Sequence, residues 1–318
     1  MVRGLYSCAV PITSAVLVGI AVLTVSCKGA FLIADLRVEN LSFVEIGMFG
    51  MMRTLDPFGP FFDTHKLRDD DCLIGVSSAG DRLLMLAQSR RTPETPYLPP
   101  RYDEVDITTL EGKAETRILA RVYRMLAFSA ELSPDGQMVA FRGHFATPDK
   151  SRADYGLHLL KASGEVSTLV ATTEAGTPNS IGWSKDGRTI VYDHDGHVLL
   201  YNLGSGDSTL LTEGTEPVWS RDGVWIAYRR PDGGAALVHP DGSGRKRILE
   251  GVTLGRGLRW SPDSRYLLYT DFTAGWTIHV LEITTGRTAR LIVQPTPGYT
   301  EAGLRWVRGM YHSAVNRR

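Results

Sequence analysis

The sequence is poor in cysteine and has no excess of charge of either sign. Three cysteines in 318 residues, Cys8, Cys27 and Cys72, are too few for a disulfide framework. Thirty-five Lys and Arg residues balance 35 Asp and Glu residues, so no general electrostatic field attracts nucleic acid, and we expect no nucleic-acid partner. A hydrophobic share of 43% supplies enough apolar surface for a large core, which excludes a disordered chain.

Sequence motifs of several common enzyme classes are absent as well. The chain has no Gly-x-Ser-x-Gly nucleophile elbow, no His-Glu-x-x-His zinc motif and no Gly-x-x-x-x-Gly-Lys-Ser/Thr phosphate loop. The three cysteines are not spaced as zinc ligands. We therefore expect no cofactor and no bound metal.

The first 34 residues form an apolar segment that stands apart from the rest of the chain. No charged residue occurs between Gly4 and Cys27, and a helix of this length can cross roughly 30 Å of hydrocarbon. Residues 24–27 resemble a bacterial lipobox, which would make Cys27 a lipidation site. An uncleaved signal-anchor is the alternative, and the apolar residues after Lys28 favour it. Both interpretations tie residues 35–318 to a membrane, outside the cytoplasm in the periplasm or at the cell surface.

A segment of about ten residues recurs through the rest of the chain. Each copy runs from an apolar residue through Ser-x-Asp-Gly, or a close variant, into a short β-branched or aromatic stretch. Four clear copies occupy residues 132–141, 183–192, 219–228 and 260–269, with a degenerate copy at 76–85 and a truncated one at 304–309. The average spacing is about 46 residues, which is typical of a β-propeller blade.

The chemistry of each copy predicts a β-hairpin. Asp accepts hydrogen bonds from nearby backbone N–H groups and Gly tolerates a positive φ, so Ser-x-Asp-Gly predicts a tight turn between two strands. A second apolar hairpin with a Gly turn follows each copy, for example at 197–212 and 277–291. Four short strands per repeat predict one four-stranded antiparallel blade.

These residues resemble the TolB-type, WD40-like β-propeller repeat over about residues 72–318. The resemblance implies an all-β propeller fold of four-stranded antiparallel blades. Together with the count of repeats it predicts a six-bladed β-propeller over residues 35–318, and the apolar segment of residues 1–34 predicts an N-terminal hydrophobic helix before it. Blades of this type occur in Tol accessory proteins, in the propellers of prolyl-oligopeptidase-like enzymes and in membrane-anchored sensors. The resemblance therefore implies a scaffold and leaves the function open.

The last copy is truncated, and this predicts how the ring closes. A propeller with an open blade would leave an unpaired strand edge. We expect a strand at 41–47 to pair with C-terminal strands around 303–315 and so complete blade six. The segment 51–71 is interpreted as a loop that covers the channel or an edge.

Several residue groups suggest chemistry but fit structural roles better. Residues 193–197, Asp-His-Asp-Gly-His, could bind a divalent metal, yet their position between two strands favours a tight turn. Four tryptophans recur at the same repeat position, which favours packing between blades over an aromatic binding ring; they are Trp183, Trp219, Trp260 and Trp306. Three histidines are interpreted as half-buried strand residues, namely His158, His239 and His279.

Two connections between second and third strands are long, in blades one and two. Segments 89–103 and 143–155 are rich in Arg and Tyr, which are common interface anchors, and equivalent connections emerge on the same propeller face. The alternative is that they are tolerated insertions without function. The candidate binding residues are Arg90, Arg91, Tyr97, Arg101, Tyr102, His144, Lys150, Arg152 and Tyr155.

From these features we expect a non-enzymatic, membrane-tethered propeller that binds a protein, peptide or glycan through the loops of blades one and two. The alternative is a propeller enzyme, a hydrolase or lyase with its site at the central channel, with or without a metal.

Overall fold

The computed structural model describes residues 41–46, 51–55, 62–66, 72–76, 82–87, 102–109, 116–146, 153–172, 180–255, 257–274, 277–291 and 305–308. The regular secondary structure within these ranges is β-strand. None of the residues described forms a helix long and apolar enough to cross a membrane. The apolar helix expected at 1–34 lies outside the described residues.

Twenty-three strands are described, and their order follows the repeats. The first ten are β1 (Leu41–Ile46), β2 (Met51–Leu55), β3 (Phe62–Lys66), β4 (Cys72–Val76), β5 (Arg82–Ala87), β6 (Tyr102–Thr109), β7 (Thr116–Leu132), β8 (Met138–Ala146), β9 (Ala153–Lys161) and β10 (Val166–Thr172). The others are β11 (Ile181–Trp183), β12 (Thr189–His194), β13 (His197–Asn202), β14 (Ser208–Glu213), β15 (Thr215–Trp219), β16 (Ile226–Arg229), β17 (Ala235–Val238), β18 (Lys246–Leu249), β19 (Arg259–Trp260), β20 (Tyr266–Asp271), β21 (Thr277–Glu282), β22 (Thr288–Leu291) and β23 (Arg305–Arg308).

Three repeats form separate four-stranded antiparallel sheets, as the sequence predicts. Their strand orders are β11-β12-β13-β14, β15-β16-β17-β18 and β19-β20-β21-β22, so each sheet follows the chain from one edge to the other. We refer to these sheets as blades three, four and five. Such a meander needs only short connections between antiparallel neighbours.

Blades one and two share a strand, which the repeat pattern did not predict. Strands β4 to β10 form one seven-stranded sheet in which the 17-residue β7 pairs with β6 through its first part and with β8 through its last part. The sequence of β7 contains no Gly, Pro, Asn or Asp, so nothing in it interrupts an extended backbone. Four-stranded antiparallel sheets are thus present, whereas a count of six separate blades stays a prediction.

The two ends of the chain meet in one sheet, as expected. Strand β23 pairs with β1 in antiparallel register, with Phe43 opposite Trp306, and the sheet order is β23-β1-β2-β3. The interpretation of 51–71 as a loop is wrong, because β2 and β3 fall inside it and pair with each other. The reason is that Met51–Leu55 and Phe62–Lys66 flank residues 56–61, whose Pro and Gly are turn formers.

The Ser-x-Asp turns form one repeated hydrogen-bond pattern. In blade three the buried Ser184 hydroxyl donates to Asp186 Oδ1 at 2.6 Å and accepts the N–H of Thr189 at 2.9 Å. The same pattern occurs around Ser133, Ser220 and Ser261. The glycine of each turn has a positive φ, from 70° to 82° in the first three, and Ser264 takes that position with φ 62° in blade five.

The apolar core lies between the faces of neighbouring sheets. One cluster joins blades two and three around Tyr192, a second joins blades three and four around Tyr228, and a third joins blades four and five around Tyr269. The fourth strand of blade three is bulged, and the bulged Leu211 packs into the second cluster. The core is therefore divided into seams between sheets, which is how stacked blades bury their two faces.

Candidate binding surface

The first strands of successive sheets lie against one another in chain order. Strand β7 contacts β11, which contacts β15, and the series continues through β19 to β23. Each second-to-third-strand connection therefore leaves the same side of the assembly, which we call the connection face. In blades three to five these connections are residues 195–196, 230–234 and 272–276, and they are tight, as the sequence predicts.

Three of the predicted binding residues have described positions on this face. Tyr102 is the first residue of β6 and pairs with Met125, while His144 and Tyr155 lie directly opposite each other in β8 and β9. The remaining predicted residues lie outside the described residues; they are Arg90, Arg91, Tyr97, Arg101, Lys150 and Arg152.

The blade-two connection is shorter than the sequence suggests. Pairing of β8 with β9 continues to Ala146 and Ala153, so only residues 147–152 connect the strands and the expected loop over 143–155 is wrong at both ends. The physical reason is that Pro148 and Asp149, which favour a turn, lie in the middle of the segment. The residues on either side extend the hairpin, and it projects further than its counterpart in blade three.

The segment Asp-His-Asp-Gly-His forms a tight turn, as predicted. Asp195 and Gly196 have φ values of 48° and 77°, and His194 pairs with His197. The buried Asp193 carboxylate accepts the N–H of Ser180 at 2.8 Å and the N–H of Glu216 at 3.3 Å. Asp193 thus joins the residue directly before the first strand of blade three to the first strand of blade four. In the part of the chain described, no three His, Cys, Asp or Glu residues are arranged to hold a metal ion.

Glu216 lies at a strained position beside this junction. Its φ is 53°, and the pairing of β15 with β16 shifts register between Thr215 and Val218. A bulge of this kind redirects a side chain. One Glu216 oxygen accepts the N–H of Gly257 at 3.1 Å, and the other lies 3.8 Å from an Arg229 nitrogen. Glu216 therefore links blade four to Gly257, two residues before the first strand of blade five.

Charged groups from three sheets come close together between the first strands. Burial lowers the pKa of the Arg259 guanidinium, and the carboxylates of Glu131 and Glu216 oppose that shift. Glu131 belongs to β7, Glu216 to β15 and Arg259 to β19. Sequence reasoning missed this group, because its members are far apart in the chain. The sequence does carry one signal. Charged residues, Glu131 and Arg259, stand directly before Leu132 and Trp260, whereas the equivalent positions before Trp183 and Trp219 hold Gly182 and Val218.

The repeated tryptophans support packing between blades. Trp183 Nε1 donates to the carbonyl of Glu131 at 3.0 Å, and Trp260 Nε1 donates to the carbonyl of Val218 at 3.1 Å. Each bond crosses to another first strand. Trp219 differs, because its indole donates to Gly223 in its own turn at 3.3 Å. The side chain of Trp306 lies outside the described residues.

The three histidines differ in their surroundings. His158 is fully buried in β9, with its ring nitrogens 3.1 Å from Thr168 Oγ1 and 3.2 Å from the carbonyl oxygen of Gly143. His279 is half-buried in β21, as expected. His239 follows the end of β17 and stacks on Trp225 with ring centroids 3.8 Å apart. The expectation that it lies within a strand is wrong, because Pro240 and Asp241 begin a turn there.

Comparison with known proteins identifies the fold. No family model and no curated protein sequence matches this chain. The crystal structure of TolB from Acinetobacter baumannii is similar with a TM-score of 0.58 and 13% sequence identity, over 84% of this chain and 66% of that one. A protein from Agrobacterium tumefaciens assigned as TolB is similar with a TM-score of 0.52 and 17% identity, over 80% of this chain and 88% of its own. This chain thus spans just under two thirds of the Acinetobacter protein. Because the strand order, the sheets and these likenesses agree, the chain has a TolB-like β-propeller fold.

Proposed function

We propose that this protein is a non-enzymatic, six-bladed β-propeller that binds a protein or peptide partner on its connection face through the loops of blades one and two. The observation that carries the proposal is the asymmetry of that face. The connection between second and third strands has 14 residues in blade one, at 88–101, and two to five residues in blades three to five. In blade two the connection has six residues, at 147–152, but they stand at the end of a longer hairpin. Long loops on a rigid scaffold are where binding residues concentrate.

The composition of the two loops supports a protein partner. Segments 88–101 and 147–152 together carry five basic and two acidic residues, with Tyr97 among them and Tyr102 directly after the first. Arg and Tyr are enriched among the residues that dominate binding energy in protein interfaces. A net positive rim favours a partner with an acidic surface, because complementary charge speeds association and excludes other partners. A glycan would use the tyrosines for stacking and leave most of the basic residues unpaired.

Three polar groups of the described residues serve the scaffold. The hydroxyl of Ser184 holds a turn, the carboxylate of Asp193 joins blades three and four, and that of Glu216 joins blades four and five. This use of polar groups favours a binding module over an enzyme, because a catalytic set needs polar groups aimed at a substrate.

Affinity capture of the full-length protein, extracted in detergent from its own cells after chemical crosslinking, tests the proposal. Replacing Arg90, Arg91 and Arg101 by Ser is expected to remove the crosslinked partner. A matched control replaces the exposed Lys185, Arg188 and Lys246 by Ser, losing the same charge, and is expected to keep the partner. A partner retained by the loop variant would overturn the site, and loss of an attached glycan rather than a protein would overturn the partner class.

We further propose that residues 1–34 hold the propeller on the outer side of a membrane, with Cys27 lipidated or the segment uncleaved. The support is the uncharged run between Gly4 and Cys27 together with the TolB-like fold. Mass spectrometry of the N-terminus from purified membranes tests this. An intact N-terminus indicates a signal-anchor, an acylated Cys27 indicates a lipoprotein, and a protein found only in the soluble fraction contradicts both.

A further inference from the structure

A half-buried histidine lies at the base of the blade-five connection. Thr277 Oγ1 donates to the carbonyl of Asp271 at 3.2 Å and lies 2.9 Å from His279 Nε2. Because the threonine proton is directed at the carbonyl, the His279 ring donates its Nε2 proton to Thr277. Asp271 is the last residue of β20 and Thr277 the first of β21, so this chain of hydrogen bonds holds together the two strand ends that carry the connection.

The surroundings of His279 are defined on both sides of its strand. On β20 it pairs with Tyr269, and the two rings stack with centroids 5.2 Å apart at 19°. On β22 it lies directly opposite Arg290. Tyr269 belongs to the apolar seam between blades four and five, together with Leu237 and Leu249. The charged groups acting on the imidazole are Asp271 and Arg290.

Adding a proton to His279 is unfavourable in this position. Burial lowers the pKa of His279, Asp271 opposes that shift, and Arg290 adds to it. Burial raises the pKa of Tyr269 to about 12, so its hydroxyl is neutral and offers no charge to compensate an imidazolium. A state in which the strand ends separate would expose His279 to water and remove most of this penalty.

We propose that the ends of β20 and β21 are held together by a pH-sensitive contact, the His279 cluster, which comprises Asp271, Thr277, His279 and Arg290. The cluster keeps the two strand ends paired while His279 is neutral, and the strand ends separate more easily when His279 binds a proton. The residues held in place include Phe272, which is 36% exposed on the connection face. Its N–H donates to Thr253 at 2.8 Å, and Thr253 in turn donates to Thr273 Oγ1 at 2.8 Å. Loosening therefore also frees the junction between blades four and five.

The effect on partner binding rests on the proposed function, because it assumes that the connection face is the binding face. The titration itself does not depend on any partner. A measurement of local opening in the isolated protein therefore tests the His279 cluster separately from the proposed function.

Hydrogen exchange of the full-length protein in detergent, followed by mass spectrometry at about pH 8 and about pH 5, tests the proposal. After correction for intrinsic exchange rates, the protection factors of peptides that cover 269–279 are expected to fall at least about threefold at the lower pH. Peptides around His239, whose ring Nδ1 donates to the Val224 carbonyl oxygen at 2.8 Å rather than joining two strand ends, serve as an internal control and are expected to change less.

Three variants give the test its direction. His279→Gln keeps an amide donor for Thr277 and is expected to abolish the pH-dependent loss of protection. Arg290→Gln removes the neighbouring positive charge, so a proton on His279 costs less in the closed state and the loss of protection at low pH is expected to shrink, whereas Asp271→Asn is expected to enlarge it. A pH-dependent loss that persists in His279→Gln overturns the proposal. Because Arg290 is exposed, its variant remains informative if His279→Gln fails to fold, and a loss of protection that is not reduced in Arg290→Gln also overturns the proposal.

Discussion

At the scale of single residues, buried polar side chains join one sheet to the next. Asp193 accepts the N–H of Ser180, directly before the first strand of blade three, and the N–H of Glu216 in the first strand of blade four. The Ser180 hydroxyl donates to the Pro217 carbonyl at 2.9 Å. Asp193 and Ser180 are almost fully buried. A buried acceptor that satisfies two backbone donors is expensive to lose, because each donor left alone keeps the full cost of its desolvation.

A matched pair of substitutions tests this role of Asp193. Asp193→Asn leaves one oxygen as acceptor and turns an NH₂ group toward the second N–H, so we expect a loss of about 1–3 kcal/mol in the free energy of unfolding. Asp195→Asn makes the same chemical change two residues away, at an exposed turn position that Asn tolerates at positive φ. We expect that variant to stay within about 0.5 kcal/mol of the parent. Equal losses in chemical denaturation would contradict the bridging role.

Residue roles of this kind were only partly accessible from the sequence. The turn at 193–197 could be predicted, because Asp-Gly between apolar stretches is a local signal. The partners of Asp193 could not, because Ser180 and Glu216 reach it only through the stacking of blades. The same reason hides the grouping of Glu131, Glu216 and Arg259. The basic loop residues such as Arg90 and Arg152 stay a prediction.

At the scale of elements, the Ser-x-Asp turn carries a charge-dependent hydrogen bond. The Ser184 hydroxyl and the N–H of Arg188 lower the pKa of Asp186, and the Ser133 hydroxyl does the same for Asp135. A carboxylate whose pKa is lower in the folded state stabilises the fold above its unfolded pKa. That stabilisation is lost as the pH falls through the folded value.

Removing one serine is expected to show this dependence. Ser184→Ala deprives the N–H of Thr189 of its acceptor and Asp186 of its donor, so the free energy of unfolding near pH 7 falls by about 1–3 kcal/mol. Below about pH 4 the difference from the parent shrinks, because the protonated carboxyl no longer gains from the hydroxyl. Urea unfolding at a series of pH values measures both effects. Ser163→Ala, at an exposed position with a long 3.5 Å contact, is the control, and a difference independent of pH would contradict the argument.

Alanine substitutions at two adjacent glycines in blade four distinguish the cost of backbone strain from the cost of a steric clash. Gly233 and Gly234 have φ values of 93° and 69°. A Cβ on Gly233 would meet nothing within 4 Å, whereas a Cβ on Gly234 would lie 2.1 Å from the Leu249 carbonyl oxygen. Gly233→Ala is therefore expected to cost about 1–2 kcal/mol from strain alone. Gly234→Ala must also displace the backbone of β18 and is expected to cost at least about twice as much. Similar losses in thermal unfolding would show that β18 yields easily.

The elements that could be predicted are those with local turn chemistry. The hairpins at 183–192, 219–228 and 260–269 follow from Ser-x-Asp turns and flanking apolar stretches, and the structure confirms them. The continuity of strand β7 from blade one into blade two was not predicted. Counting repeats places a boundary between blades wherever a new copy begins, and such a boundary falls inside β7. The continuous pairing of β7 with β6 and β8 depends on strands that are distant from each boundary.

At the scale of the whole molecule, backbone pairing brings strands from the two ends of the chain into one sheet. Strand β23 supplies the first strand of a sheet whose other three strands, β1 to β3, come from the beginning of the propeller. Contacts that join residues more than 250 positions apart form late, because closing so long a loop costs chain entropy before it is repaid. Loss of β23 would leave β1 with an unpaired edge and would remove a strand that contacts β19 in the neighbouring sheet.

Two truncations test whether this closure controls the stability of the other blades. A chain ending at residue 309 keeps every pair between β1 and β23, whereas a chain ending at residue 303 removes β23 entirely. We expect the longer variant to unfold in one cooperative transition like the parent. The shorter variant is expected to lose that cooperativity and to expose apolar surface, because β1 and β19 lose their neighbour and the seams next to them open in turn. Calorimetry together with binding of a hydrophobic dye measures both properties. If the chain ending at 303 unfolded with the parent's enthalpy and midpoint, blades three to five would be stable on their own seams, and the meeting of the chain ends would be a local feature rather than the condition for the fold.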